Sequence, residues 1–283
     1  MALQNFVKTV WSENIMKALE KAHVFATVAN REYQGQVQNM GDQVRVMQVN
    51  DPTITAYTTA ATVTPENLDD AALVLTADKA YYFSFKVHDV EAVQVKPTLL
   101  AQITEKAAYG FRDTVDAYFA GLYAQAGMTS YSTGTTDWAI TSLNVEDALL
   151  SAGETMDYNN VPRAGRFIIV PPWFHTKLVI AQLTTKTQND ALAANGFIGN
   201  VLGFDILISN NVSQGTASSG QNARILAGVR GQSFAFAEAI SSVEAYRPEA
   251  GFDDAVKGLY VFGGKVMRPD MTLALYADKT GEP

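Results

Sequence analysis

The sequence contains no cysteine and only three histidines among its 283 residues. Without cysteine the chain can form neither disulfide bonds nor thiolate zinc sites, and it has no thiol nucleophile. His23, His88 and His175 are far apart and show no paired spacing, so a metal site would require each of them to recruit distant partners. We therefore assign no metal-binding residue and expect no cofactor.

Motifs of common enzyme classes are also missing. The sequence has no Gly-x-Ser-x-Gly motif, and the glycines between Gly196 and Gly203 match neither a phosphate-binding loop nor a dinucleotide-binding motif. The acidic pairs Asp69-Asp70 and Asp253-Asp254 are adjacent in sequence, so their side chains diverge and do not form an acid–base pair by themselves. We assign no catalytic or cofactor-binding residue and predict that the protein is not an enzyme.

Long hydrophobic runs and an excess of basic charge are absent as well. No stretch approaches the ~20 apolar residues that a membrane-spanning helix requires. The chain carries 21 basic and 29 acidic side chains, a net charge of -8, which excludes a generally basic nucleic-acid-binding protein. Residues 51–159 are acidic, whereas residues 160–260 are close to neutral. A solvated acidic face is the simpler explanation, and contact between these regions of different copies is the alternative.

The most regular pattern in the chain predicts a long helix from Pro97 to Ala126. Pro97 suits the first helical turn, and Gly127 suits a left-handed cap at the end of the helix. Such a helix would be about 45 Å long, and Gly110 and Gly121 are expected to bend or weaken it. Its apolar residues recur at intervals of three and four, as on one helical face: Leu100, Ile103, Ala107, Phe111, Val115, Tyr118 and Leu122.

The other predicted elements mix strands with shorter helices. A second helix is predicted from Val145 to Met156, with the side chain of Asn144 as its N-terminal cap. The stretch 166–170, which is apolar after Arg166, predicts a buried strand, and a helix containing Trp173 follows it. Further strands are predicted at 206–208, 224–227 and 233–237, with two extended runs in 258–276 around Gly263, Gly264 and Pro269.

The segment from Asn50 to Asp78 shows no clear period and contains no glycine. It is too long for an ordinary connection, so it predicts a functional loop or an extended hairpin. The strand that follows alternates, with Phe83 and its apolar neighbours on one face and Tyr82 and polar residues on the other. That apolar face requires a cover, which is either the core of the same chain or a neighbouring subunit.

The order of these elements resembles the major capsid protein of tailed bacteriophages, whose fold is shared by encapsulin shells. The resemblance spans about residues 11–278. It rests on the order and spacing of three stretches: Arg166-Phe-Ile-Ile-Val-Pro-Pro-Trp-Phe174, then Gly196-Phe-Ile-Gly-Asn-Val-Leu-Gly-Phe-Asp-Ile-Leu-Ile-Ser-Asn210, and Ala227-Gly-Val-Arg-Gly-Gln-Ser-Phe-Ala235 with its continuation through Arg247, 252–256 and 261–269.

This resemblance implies an α+β capsid fold in four parts. Residues 1–32 correspond to an N-terminal arm, and residues 33–95 to an extended β-hairpin loop with its flanking strands. Residues 96–159 correspond to a peripheral domain that contains the long spine helix and is completed by 258–283. Residues 160–257 correspond to an axial domain. In the resembling family the extended loop lies over a neighbouring subunit, so the resemblance favours that subunit as the cover of the apolar strand face.

The resemblance also implies what the protein does and with what it associates. We expect an icosahedral phage head built from pentamers and hexamers, assembled in the bacterial host cytoplasm and enclosing double-stranded DNA without sequence-specific or membrane binding. Met1 stands almost directly before the predicted arm, so we expect a separate scaffolding protein, together with a portal. No lysine lies between Arg45 and Lys79, so we expect no covalent crosslink through a lysine of the loop.

Three alternatives remain at this stage. An encapsulin-like compartment with an enzyme cargo would have the same fold. An α+β enzyme with scattered carboxylate or serine chemistry in residues 160–257 would be a monomer or small oligomer with a cleft. A tail-tube or other virion component would form rings or tubes.

Overall fold

The computed structural model describes residues 24–37, 39–49, 54, 56, 70–88, 97–125, 128–131, 137–185, 200–214, 222–246 and 253–279. The predicted arm before Val24, most of the predicted loop between 50 and 69, and Gly127 lie outside these residues. Within them, three α-helices are α1 (Pro97–Ala120), α2 (Val145–Tyr158) and α3 (Pro172–Thr185). Short 3-10 helices occur at Phe25–Thr27, Gln34–Gln36, Gly121–Ala124 and Pro269–Met271.

The strands of the described residues form three sheets. Their bounds are β1 (Gln43–Val49), β2 (Asp70–Thr76), β3 (Lys79–His88), β4 (Thr129–Tyr131), β5 (Trp138–Ala139), β6 (Arg166–Val170), β7 (Asn200–Val201), β8 (Phe204–Ile208), β9 (Asn222–Val229), β10 (Phe234–Tyr246), β11 (Asp253–Val266) and β12 (Leu273–Asp278).

The large sheet has the order β4-β12-β9-β6-β8-β7, with β5 also paired to β12. Its central strand β6 is buried at every position, which is why its sequence is continuously apolar after Arg166. Strands β6 and β8 run parallel and are connected through α3. Strands β7 and β8 form a hairpin whose two turn residues, Leu202 and Gly203, have φ of 53° and 87°, the left-handed pair that suits a tight hairpin.

The small sheet has the order β10-β11-β3, and all of its described pairings are antiparallel. One face packs on α1, where Phe119 contacts the rings of Phe234 and Phe236 and Phe111 contacts that of Tyr260. These rings belong to the same hydrophobic core as the interior of the large sheet. Helix α1 and both sheets are therefore joined by one continuous core.

The opposite face of the small sheet carries a second, smaller core. Strands β1 and β2 pair in antiparallel register from Gln43–Thr76 to Val49–Asp70. Val44 and Leu75 of this hairpin pack with Ala235, Ala237 and Val261 of the small sheet. The hairpin base thus covers one end of this face.

The predicted α+β class is confirmed, with corrections at element ends. Helix α1 begins at Pro97 as predicted, but it ends at Ala120 and continues as a 3-10 turn from Gly121. The prediction placed its end at Ala126. Glycine propagates an α-helix poorly, and the tighter turn still buries Leu122. The helix is consequently about 36 Å long.

A second correction concerns the start of α2. The helix follows Asn144 as predicted, but the Asn144 side chain makes no capping hydrogen bond. Its Oδ1 accepts from the Thr141 amide at 2.7 Å, and its Nδ2 donates to the Ala139 carbonyl at 2.9 Å. The side chain stabilises the preceding turn because both of its polar atoms find backbone partners there.

The four-part division of the chain stays a prediction. Strand β11 lies in the small sheet beside α1, whereas β12 pairs with β9 of the large sheet. The segment 258–283 thus contributes most of β11 to the small sheet and β12 to the large sheet.

Candidate functional site

The base of the extended loop is held firmly against the small sheet. The Gly41 amide donates to the Ala77 carbonyl at 2.8 Å, and the Ala77 amide donates to the Asp42 carbonyl at 3.0 Å. From β11, Lys265 Nζ donates to the Val74 carbonyl at 3.0 Å. These contacts fix the direction in which the hairpin leaves the body.

The close approach of the hairpin base to the small sheet depends on Gly263 in β11. A Cβ added at Gly263 would overlap the Thr76 carbonyl oxygen and would lie 2.9 Å from the Ala77 Cα. Both atoms belong to the backbone, so neither can move aside without shifting the hairpin. Glycine at this position therefore permits the hairpin base to lie directly on the sheet.

Beyond the hairpin base, residues on the same face of the small sheet are exposed within the part of the chain that the structure describes. We call this the open face and define it by Tyr82, Ser84, Glu244, Tyr246 and Lys257. Tyr82 is 79% exposed and Tyr246 is 43% exposed. Lys257 pairs with Glu244 at 2.9 Å and lies 5.2 Å from the Tyr246 ring centroid. The open face combines aromatic surface with charge, as interface residues commonly do.

The other face of β3 is covered by the chain itself. Phe83 contacts the ring of Phe111 in α1 at 5.7 Å, and Tyr81 stacks on Phe262 at 5.7 Å between centroids. The interpretation that an adjacent subunit covers this face is therefore wrong for Phe83. The apolar stripe of α1 belongs to the same chain and packs against Phe83, so this residue needs no cover from a neighbouring subunit.

A groove of about 700 Å³ lies between α2 and the β7–β8 turn. Leu150, Tyr158 and Leu202 contribute apolar surface to it, and Leu150 and Tyr158 are 54% and 78% exposed. On its polar side, Asp157 accepts hydrogen bonds from Arg163 at 2.6 Å and from Arg166 at 2.5 Å. These two guanidinium groups lower the pKa of the Asp157 carboxyl.

The histidines, none of which was assigned a metal-binding role, form no common site among the residues that the structure describes. His175 is half-buried on α3 and His88 lies in β3, while His23 is outside those residues. No group of three or more histidines, aspartates and glutamates in the described segments could hold a metal ion. In the same segments no helix is long and apolar enough to cross a membrane.

Sequence reasoning missed two buried carboxylates, Asp116 in α1 and Glu238 in β10. Both bind residues that precede the loop base. Asp116 had a detectable signal, because it is a charged residue beside Val115 and Phe119 on the apolar stripe of the predicted helix. Glu238 lies just past the end of the predicted strand 233–237 and gave no such signal.

Solved structures similar to this chain include a phage capsid and a virus-like particle. The chain superposes on a structure titled "Mycobacterium phage Che8" with a TM-score of 0.74 and 28% identity, covering 92% of each chain. It superposes on the capsid of the cyanophage P-SCSP1u with a TM-score of 0.67 and 21% identity, covering 92% of this chain and 89% of that one. For a virus-like particle from Pyrococcus furiosus the TM-score is 0.60, with 12% identity and coverage of 95% and 99%. The fold is therefore that of a capsid subunit.

The sequence defines the family more narrowly. A family model described as phage capsid protein matches residues 79–275, from the start of β3 to β12. No curated protein sequence matches the chain significantly. The chain belongs to the phage capsid protein family, and the resemblance found in the sequence is confirmed.

Proposed function

We propose that the protein is the major capsid protein of a tailed phage, and that it assembles as pentamers and hexamers into an icosahedral head around double-stranded DNA. The observation that carries this proposal is the family match over residues 79–275 together with the fold. The family is a structural one, and its members are components of the virion capsid. The encapsulin-like alternative has no better support.

The geometry suits repeated contacts between copies. A closed shell requires heterologous interfaces, in which one surface of a subunit meets a different surface of the next. The hairpin base is attached to the small sheet through the Lys265–Val74 contact, and the open face offers exposed aromatic surface. Many such contacts act together in a shell, so each of them can be weak and reversible while the particle is durable.

The proposal includes three further partners: a scaffolding protein, a portal and packaged DNA. The net charge of -8 supports containment of DNA without tight binding, because an acidic protein repels phosphate groups over short range. A shell that binds the genome weakly allows DNA both to enter and to leave.

Electron microscopy of the full-length protein, expressed with and without a candidate scaffolding protein, tests the proposal. Closed hollow particles support it, and nuclease-protected DNA in native particles separates a phage head from a cargo compartment. Tubes would favour a tail component. A protein that stays monomeric at high concentration under both conditions would contradict shell formation.

A deletion tests the role of the loop. Removing residues 53–67 is expected to leave a folded subunit, because the hairpin base and both cores are retained, and to abolish closed particles. The matched control replaces the same residues by a Gly/Ser segment of equal length, which separates loop sequence from loop length. A deletion variant that fails to fold would place the loop in the core of the subunit and would refute its assignment to assembly.

A further inference from the structure

Residues 24–37 cross the body of the subunit, with one 3-10 helix near each end, and we call this segment the strap. The Asn30 amide donates to the Phe234 carbonyl at 2.7 Å, and the Phe236 amide donates to the Asn30 carbonyl at 2.9 Å. Two residues before Asn30, the Val28 carbonyl accepts a hydrogen bond from the Gly231 amide at 2.9 Å. The strap therefore lies along the edge of β10 and contacts the turn between β9 and β10. Its far end leads into the base of the extended loop.

The beginning of the strap is attached to α1 through Asp116. The Asp116 carboxylate accepts hydrogen bonds from the Val24 and Phe25 amides, each at 3.3 Å. These amides open the 3-10 helix Phe25–Thr27 and have no partner within it. Asp116 is 3% exposed, and two of its hydrogen-bond partners are these strap amides.

The end of the strap is attached through Glu238 of β10. Gln34 Nε2 donates to Glu238 at 3.1 Å, and an Arg31 guanidinium nitrogen lies 3.6 Å from the same carboxylate. The Tyr260 hydroxyl also donates to it. The strap is thus held at two points by buried carboxylates from the body.

We propose that the strap is a clasp controlled by a single proton: it docks more tightly when the Asp116 carboxyl is protonated and loosens when that carboxyl is charged. Lifting the strap would admit water to the carboxyl, and water stabilises the charged form. Docking removes that water and therefore favours the neutral form. The Val24 amide binds Oδ2 and the Phe25 amide binds Oδ1. A protonated carboxyl keeps its carbonyl oxygen as a full acceptor for one of these amides, and its hydroxyl oxygen is a weaker acceptor for the other.

The pKa of Asp116 agrees with this direction. Burial raises it to about 6, although the two strap amides and Arg112 oppose the increase and Asp113 adds to it. Other charged or titratable groups in or near the strap include Arg31, Glu32, Tyr33, Glu238 and Tyr260. Burial and the charge of Glu238 raise the pKa of Tyr260 well above its usual value, so Tyr260 stays neutral between pH 5 and 8.

The size of the effect follows from linkage. If the carboxyl has a pKa of about 6 when the strap is docked and about 4 when it is exposed, the docking equilibrium changes about tenfold between pH 5 and pH 8. Docking is stronger on the acidic side. Because the strap runs into β1, a looser strap would also give the loop base more freedom at higher pH.

Hydrogen exchange of the full-length, unassembled chain tests the clasp. Protection of the strap amides, corrected for intrinsic exchange rates, is expected to be about tenfold greater at pH 5 than at pH 8. In Asp116→Asn, which keeps the shape of the side chain but cannot titrate, protection is expected to vary less than twofold over the same range. Asp147→Asn makes the same chemical change at an exposed position of α2 and should keep the wild-type response.

Glu238→Gln separates the two attachment points, because it weakens the end of the strap but should retain the pH response. If Asp116→Asn does not fold, the wild-type profile and tryptic cleavage after Arg31 still test the clasp, since cleavage is expected to be faster at pH 8 after correction for trypsin activity. Protection that is equal at both pH values, or greater at pH 8, would overturn the proposal. So would a pH response that survives in a folded Asp116→Asn variant. None of these measurements depends on shell formation.

Discussion

The two larger sheets of the molecule differ in how completely their own chain covers them. The large sheet has a central strand, β6, that is buried at every position. The small sheet is packed on α1 on one face, but the hairpin base covers only one end of its other face, and Tyr82 stays exposed. Both sheets contribute to the shared core, but the small sheet also leaves part of one face exposed.

The difference between the two sheets predicts which substitutions affect folding and which affect association. Changes in the shared core should affect folding of the isolated subunit. Changes on the open face should affect association and leave folding alone. The following predictions test this division, starting with the largest expected effect on the subunit.

Phe119→Ala should cause the greatest loss, because Phe119 joins α1 to β10 through its contacts with Phe234 and Phe236. Truncating a buried phenylalanine typically lowers the free energy of unfolding by about 3–5 kcal/mol. Chemical denaturation of the unassembled subunit measures this decrease in the free energy of unfolding. A loss below about 1 kcal/mol would mean that the core does not connect the two sheets through this ring.

Gly263→Ala should destabilise the attachment of the loop base. The added methyl group would overlap the Thr76 carbonyl oxygen, and overpacking of this kind costs about 1–3 kcal/mol. Hydrogen exchange at β1 and β2 should increase more than exchange in the large sheet. The matched control is Gly110→Ala, where a Cβ meets nothing within 4 Å on α1 and a gain of about 1 kcal/mol is expected. Equal effects of the two variants would contradict the close approach.

Asp157→Asn should reduce the stability of the large-sheet region in a pH-dependent way. Its hydrogen bonds to Arg163 and Arg166 lower the pKa of the carboxyl, so the stabilisation is present above the unfolded pKa of about 4 and is lost as the pH falls through the folded value. Unfolding curves at pH 7 and pH 3 should therefore differ more for the wild type than for Asp157→Asn. An unchanged pH difference would show that this ion pair does not contribute.

Tyr82→Ala should have the smallest effect on the subunit, within about 0.5 kcal/mol, because the side chain is exposed. Particle yield is nevertheless expected to fall if the open face contacts another copy. Tyr109→Ala is the control, since Tyr109 is also exposed but lies on α1. Normal particles from Tyr82→Ala would remove the open face from the assembly surface.

The elements that could be predicted from the sequence are those whose pattern of apolar residues is regular over their whole length. The strand at 166–170 was predicted with its observed bounds, because a strand buried on both faces reads as an unbroken apolar run. The start of α1 was also predicted correctly, since proline marks a helical N-terminus. The end of α1 was missed, because the change from α to 3-10 geometry at Gly121 keeps Leu122 buried and so keeps the apolar pattern.

Elements that depend on distant partners could not be predicted. The strap has no period of its own, and its attachment to Asp116 joins residues 91 and 92 positions apart. Strand β10 was predicted to stop at Ala237, but it continues to Tyr246. Its alternation changes phase between Ile240 and Ser242, so a period of two cannot be followed through it. The groove beside α2 combines residues from two separate elements and left no local signal.

That irregularity in β10 is a β-bulge, and it occurs in a strand at the border of its sheet. A bulge increases the local coiling of a strand and interrupts the regular row of amide and carbonyl groups that another strand could pair with. At high concentration in an infected cell, many identical chains with regular free borders would tend to stack into fibres by strand addition. The extra residue at Ser241 disfavours that route, so copies of the protein can associate through side chains without extending each other's sheets.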